Sequence, residues 1–210
     1  MDVSRFKELP VMGILRGIEA DVVDPLVECV SEAGLKTIEV TMNTPGADQL
    51  IKQMVAAADG RLDVGAGTVL TMGDLHVALD AGASFVVQPT TVPEIVTYCV
   101  KNKISVFPGA LTPQEIYHAW SLGATMVKVF PAKFFGPAYF KEIRGPFADI
   151  ELLACGGVND ENIRSFFDCG AAAVAFGGSI FKKDWIANRE FDEILKELKK
   201  FISAYKKSEK

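Results

Sequence analysis

The 210-residue sequence predicts an α/β protein folded as a single (β/α)8 TIM barrel. Three observations carry that expectation. Eight short apolar runs recur along the chain, each followed by a longer amphipathic segment. Strands that are apolar on both faces and alternate with helices belong in a parallel sheet. No linker, charge block or low-complexity stretch divides the chain, so eight units in one piece favour a closed barrel over an open sheet.

Taken in order, the expected strands cover 11–17, 37–42, 62–69, 84–89, 104–109, 126–132, 150–157 and 172–179. Helices follow in segments such as "DPLVECVSEAG", "GADQLIKQMVAAA", "PEIVTYCVKN" and "PQEIYHAWSLG". Pro93 and Pro113 stand where helices should begin, and Gly34, Gly82, Gly123 and Gly170 where they should end. A helical segment precedes the first strand. Beyond Phe181 a charged helix, "NREFDEILKELKKFISAYKK", is expected to close the barrel or pack at its side. The whole of 1–210 is read as one domain.

Composition narrows the function. The chain is 49% hydrophobic and 23% charged, enough for a sizeable core. Its net charge of -5 comes without a basic block, which argues against nucleic acid or an anionic membrane as partner. No apolar run is long enough to span a bilayer, and the N-terminus lacks a signal-peptide core. Cys29, Cys99, Cys155 and Cys169 show no paired spacing, so reduced thiols in the cytoplasm are expected. His76 and His118 fall in helices without a metal-ligand pattern around them.

Two charges are out of place. Glu39 lies inside "TIEVTM" and Lys128 inside "MVKVF". Side chains alternate along a strand, and the helix-facing side should be aliphatic. Glu39 and Lys128 therefore point into the barrel, towards the C-terminal mouth where barrel active sites form. Burial disfavours the charged form of such a lysine, and a neutral amine is what attack on a carbonyl needs. The competing reading is a buried ion pair that only fixes register.

Glycine pairs close the last two strands, at Gly156 and Gly157 and again before Ser179 at Gly178. Exposed backbone N–H groups there suit a phosphate. Arg16, near the end of the first strand, could fork onto a carboxylate or phosphate. Thr68, Pro89 and Phe130 would line the same mouth. Cys155 would too, as a packing residue rather than a nucleophile, since no histidine accompanies it.

With these residues in view, the chain resembles the 2-keto-3-deoxy-6-phosphogluconate (KDPG) aldolases and their 6-phosphogalactonate and 4-hydroxy-2-oxoglutarate relatives. The resemblance rests on "GILRGI", "IEVTMNTPGA", "VGAGTVL", "VKVFPA", "FGPAYFKEIRGPF", "CGGVN" and "FGGS", spread from about Val11 to Phe181. It implies a class I aldolase, usually a homotrimer, that needs no metal or other cofactor. The substrate would be a phosphorylated keto acid cleaved to pyruvate and glyceraldehyde 3-phosphate. Lys128 would be the Schiff-base lysine and Glu39 the carboxylate that moves protons through water. Thr68 would sit by the pyruvate carboxylate, Pro89 would line the pocket, and Gly156, Gly157, Gly178 and Ser179 would hold the phosphate. Asn43 replaces an arginine common in the family, and Arg16 would compensate. Cys155 stands where gluconate-type members commonly have threonine, and the fourth strand ends in "VVQPTT" rather than with serine before its proline. These departures leave open a 6-phosphogalactonate or 4-hydroxy-2-oxoglutarate substrate. A phosphate-binding barrel isomerase or synthase without covalent catalysis, and a noncatalytic assembly subunit, are the readings from other classes.

Overall fold

The computed structural model describes residues 1–206. The chain runs α1 (Val3–Glu8), β1 (Val11–Leu15), α2 (Val23–Glu32), β2 (Thr37–Thr41), α3 (Ala47–Ala58), β3 (Asp63–Gly67), α4 (Met72–Asp80), β4 (Phe85–Val87) and α5 (Pro93–Lys101). It continues with β5 (Ser105–Phe107), β6 (Gly109–Ala110), α6 (Pro113–Ser121), β7 (Val127–Val129), α7 (Gly136–Arg144), β8 (Leu152–Cys155), α8 (Ile163–Asp168), β9 (Ala173–Phe176), α9 (Lys183–Ala187) and α10 (Phe191–Lys206). Every strand pair is parallel, in the order β5-β4-β3-β2-β1-β9-β8-β7-β6.

β5 and β6 are two halves of the fifth expected strand. Pro108 separates them because it has no N–H to give the ladder. β5 pairs with β4 and β6 with β7, and the Pro108 carbonyl accepts the Lys128 N–H at 2.8 Å. The sheet thus returns on itself across one proline. Eight staves are present, as expected, but built from nine segments.

Helix ends follow local chemistry. Pro93 and Pro113 occupy the first turns of α5 and α6, and capping boxes at Thr71 with Asp74 and Thr112 with Glu115 open α4 and α6. Gly34, Gly82, Gly123 and Gly170 follow helix ends at φ between 87° and 96°.

Strand alternation sorts the core into two regions. Outward residues such as Ile38, Val40, Val64, Val86, Val127 and Val174 join the helices in one large cluster. Inward residues, among them Met12, Phe85, Phe107, Met126 and Leu153, form a second cluster inside the barrel. Phe6 of α1 belongs to this inner cluster and meets Phe107 edge-on at 5.9 Å. α1 therefore stoppers the N-terminal end. α10 packs at the side against α2 and α8, which decides between the two expected placements. The expected last residue of that helix, Lys207, lies outside the described residues. Among the described residues no helix is long and apolar enough to cross a membrane.

Candidate active site

Glu39 is the middle residue of β2, paired with Ile14 on one side and Gly65 on the other. It is completely enclosed, and its Oε2 has no hydrogen-bond partner. Room for the carboxyl comes from Gly67 on β3, where a Cβ would lie 2.6 Å from the Glu39 carboxyl carbon. Burial pushes the Glu39 carboxyl above the ordinary carboxylate range, and the nearby cations of Lys128 and Arg16 pull against that rise.

Lys128 is the middle residue of β7, with only 6% of its surface exposed. Its Nζ lies 5.3 Å from the centre of the Phe130 ring, and its charge acts on the buried Cys155 thiol. Burial raises the pKa of that thiol, which keeps it neutral and a poor nucleophile. Among the described residues the ion pairs all involve other side chains, so Lys128 and Glu39 share a field without a direct salt bridge. The register-fixing ion pair is thus not formed. A gap between amine and carboxyl is what a reacting carbon with its oxygen needs.

A cavity of about 350 Å³ adjoins Phe130 and Cys155, the neighbours of Lys128, but Lys128, Glu39 and Thr68 are not among its lining residues. Its lining includes Arg16, Phe130, Cys155, Gly156, Gly157, Gly178 and Ser179, seven of the residues expected from the sequence. Lys128 lies against two of its walls, Phe130 and Cys155. At one end the loops after β8 and β9 meet. Gly157 has φ 85°, and a Cβ there would lie 2.5 Å from that of Lys133, so only glycine fits. Among the described residues the N–H groups of Gly157, Gly178 and Ser179 donate to no backbone carbonyl. They are free to meet an anion.

Arg16 reaches across the mouth to Thr68, with Nη2 3.4 Å from Oγ1. Its loop is tied to β2 by the Gly17 N–H, which donates to Thr44 Oγ1 at 3.0 Å, and by the Thr44–Thr41 hydroxyl contact at 3.1 Å. Thr68 adopts φ 56° immediately after β3. Pro89 sits on the far side of Phe130, in a neighbouring cavity with Gly109 and His118. His76 and His118 are exposed on helices, and the described residues contain no cluster of three or more metal-ligating side chains.

Lys183 of α9 also lines the cavity and was not singled out from sequence. The stretch "FKKDW" offers two lysines with equal claims. The fold separates them, because Lys182 stacks on Trp185 at 3.7 Å while Lys183 turns to the cavity. In barrels of this kind an anion site after the last strands commonly recruits a cation, and that was the available signal.

Such a site can form an imine at Lys128, shuttle a proton at Glu39 and seat an anion in the adjoining cavity. Known proteins place it in context. The family described as KDPG and KHG aldolase matches residues 3–197. The 2-dehydro-3-deoxy-6-phosphogalactonate aldolase of Escherichia coli (strain K12) is 31% identical over 96% of this chain and 97% of its own. The 2-dehydro-3-deoxy-phosphogluconate aldolase of Haemophilus influenzae is 32% identical over 97% and 96%. A KDPG aldolase from Legionella pneumophila, solved with pyruvate captured as a covalent carbinolamine, superposes with a TM-score of 0.84 at 28% identity, covering 90% of this chain and 92% of its own. A match over nearly the whole length, on a barrel carrying one buried lysine beside a buried carboxyl, makes this chain a member of the KDPG and KHG aldolase family.

Proposed function

We propose that the chain is a class I aldolase that reversibly cleaves a 2-keto-3-deoxy-6-phospho sugar acid to pyruvate and glyceraldehyde 3-phosphate. The observation that carries this reading is Lys128, the one buried lysine among the described residues, set in the same enclosed region as the buried Glu39 without an ion pair to it. The Lys128 amine adds through its Nζ lone pair to the C2 ketone to give a carbinolamine. Glu39, whose carboxyl burial pushes towards the protonated form, gives a proton to the departing hydroxyl, and water leaves. The resulting carboxylate faces a protonated imine, so charge stays balanced in a dry site. The C3–C4 bond breaks with its electrons drawn into the imine as an enamine. Glu39 takes the C4 hydroxyl proton, and the aldehyde departs. The enamine is protonated at C3, and water hydrolyses the pyruvate imine to regenerate Lys128.

Arg16 and Thr68 hold the carboxylate of pyruvate in this reading. Gly156, Gly157, Gly178 and Ser179 hold the phosphate, with Lys183 as the added cation. The 6-phosphogalactonate epimer is the second substrate reading, favoured by Cys155. Its neutral thiol offers the C4 hydroxyl a weaker partner than a threonine would. We further infer a homotrimer in the cytoplasm. Free thiols at all four cysteines suit that compartment, and the exposed Tyr117, Phe134 and Phe135 support a buried subunit contact. A solution mass of one chain would contradict the trimer.

Incubation with pyruvate and borohydride tests the chemistry. The expected result is one reduced adduct per chain, at Lys128, and none in Lys128→Met. An adduct at Lys133 instead, or none in the wild type, would overturn the reading. Steady-state comparison of the two epimers settles the sugar configuration.

A further inference from the structure

We propose that Gln88 is a positioning residue for the pyruvate end of the site, acting through Thr68; the proposal rests on the imine reading above. Gln88 follows β4 and is fully enclosed at 0% exposure. It does not line the cavity. Its side chain falls on the outward face with Val86, where an apolar residue would be the ordinary choice. Its Oε1 has no partner, an arrangement that costs stability in a dry core. The polar side chain makes one bond, from Nε2 to the Val69 carbonyl at 3.3 Å.

That bond completes a clamp. The Val69 N–H donates to the Val87 carbonyl at 3.3 Å, so Val69 is gripped from β4 at both its N–H and its C=O. The next turn is fixed as well, because Asp74 accepts the N–H groups of Leu70 and Thr71. Gln88 itself is anchored through its own N–H to the Phe107 carbonyl at 3.1 Å. Thr68 lies between the end of β3 and this clamp, at φ 56°. A β-branched residue in the left-handed region is strained, and it stays there only where its surroundings leave no alternative. The strained backbone aims Thr68 Oγ1 at Arg16, whose Nη2 lies 3.4 Å away. Releasing Val69 lets Thr68 relax and withdraws its hydroxyl from Arg16 and from the carboxylate both would hold. Gln88 thus acts two residues away, without touching substrate.

The test is the pyruvate dependence of borohydride trapping in Gln88→Met, which keeps the length and removes the donor. The half-saturating pyruvate concentration should rise about tenfold, the scale of one lost hydrogen bond with its strained geometry. The trapping rate at saturating pyruvate should change by less than about twofold, because Lys128 and Glu39 are untouched. In a Thr68→Ala background the same substitution should add nothing, since two residues acting in series are not additive. Gln88→Thr, which is too short to reach Val69, carries the same comparison if the methionine variant does not fold. Unchanged half-saturation, or an equal effect with and without the Thr68 hydroxyl, would overturn the proposal. A wild type that forms no adduct would remove the imine reading itself, a distinct outcome.

Discussion

Glu39 carries the sharpest conflict between stability and chemistry. Its carboxyl is buried with one oxygen unpartnered, and its folded-state pKa lies above the ordinary value. A raised pKa favours folding at low pH, and that contribution is lost as the pH climbs through the folded value. Glu39→Gln removes the titration and keeps the shape. Its stability advantage over the wild type should therefore grow as the pH rises from the ordinary carboxylate range, and then level off. Melting temperatures taken across pH measure this, and an advantage that shrinks with rising pH contradicts it. Turnover should fall by roughly 10²-fold or more, the scale of general acid–base catalysis, and unchanged turnover would reduce Glu39 to a packing residue. Glu39 and Lys128 were legible in the sequence because alternation along a strand needs only the neighbouring residues. Gln88 was not, since a polar residue before a proline reads as a strand end. Its role depends on where the loop after β3 lies.

At the scale of elements, the eight runs, the opening prolines and the closing glycines were all readable. Local backbone chemistry sets them. The division at Pro108 was not read, because an apolar run with one internal proline looks continuous until its partners are known. β4 and β7 take opposite sides of that proline. The loops show the same pattern. Strand ends at 156–157 and 178–179 announce an anion site, but the two anions of the substrate must be shared among Arg16, Lys183 and backbone N–H groups. Arg16 leans to Thr68 and is tied to β2 through Gly17 and Thr44, which supports the proposal that it serves the carboxylate. Arg16→Ala should lower kcat/KM by about 1.5–3 kcal/mol, the range for a charged hydrogen bond. Removing the substrate phosphate should then cost the same in wild type and variant, as independent sites require. A double cycle of variant against phosphorylated and unphosphorylated substrate measures this. A phosphate effect that disappears in Arg16→Ala would show that Arg16 holds the phosphate instead.

At the scale of the molecule, α1 turns the barrel into a vessel with one opening. Phe6 fills the N-terminal end against Phe107, which also meets Phe85 edge-on, while Lys128 lies deep beneath the other end. Everything that enters must leave past the same loops. That geometry dictates a kinetic order. In the imine mechanism proposed above, pyruvate stays tethered to Lys128 beneath the phosphorylated aldehyde until that aldehyde departs, which predicts an ordered one-substrate, two-product sequence with pyruvate released last. Pyruvate should then inhibit cleavage competitively, because it and the sugar acid seek the same free enzyme. Glyceraldehyde 3-phosphate should give mixed inhibition, because it returns only to the enzyme still carrying pyruvate. The opposite pair of patterns would mean that a second exit exists, and that the stoppered end is not sealed to product.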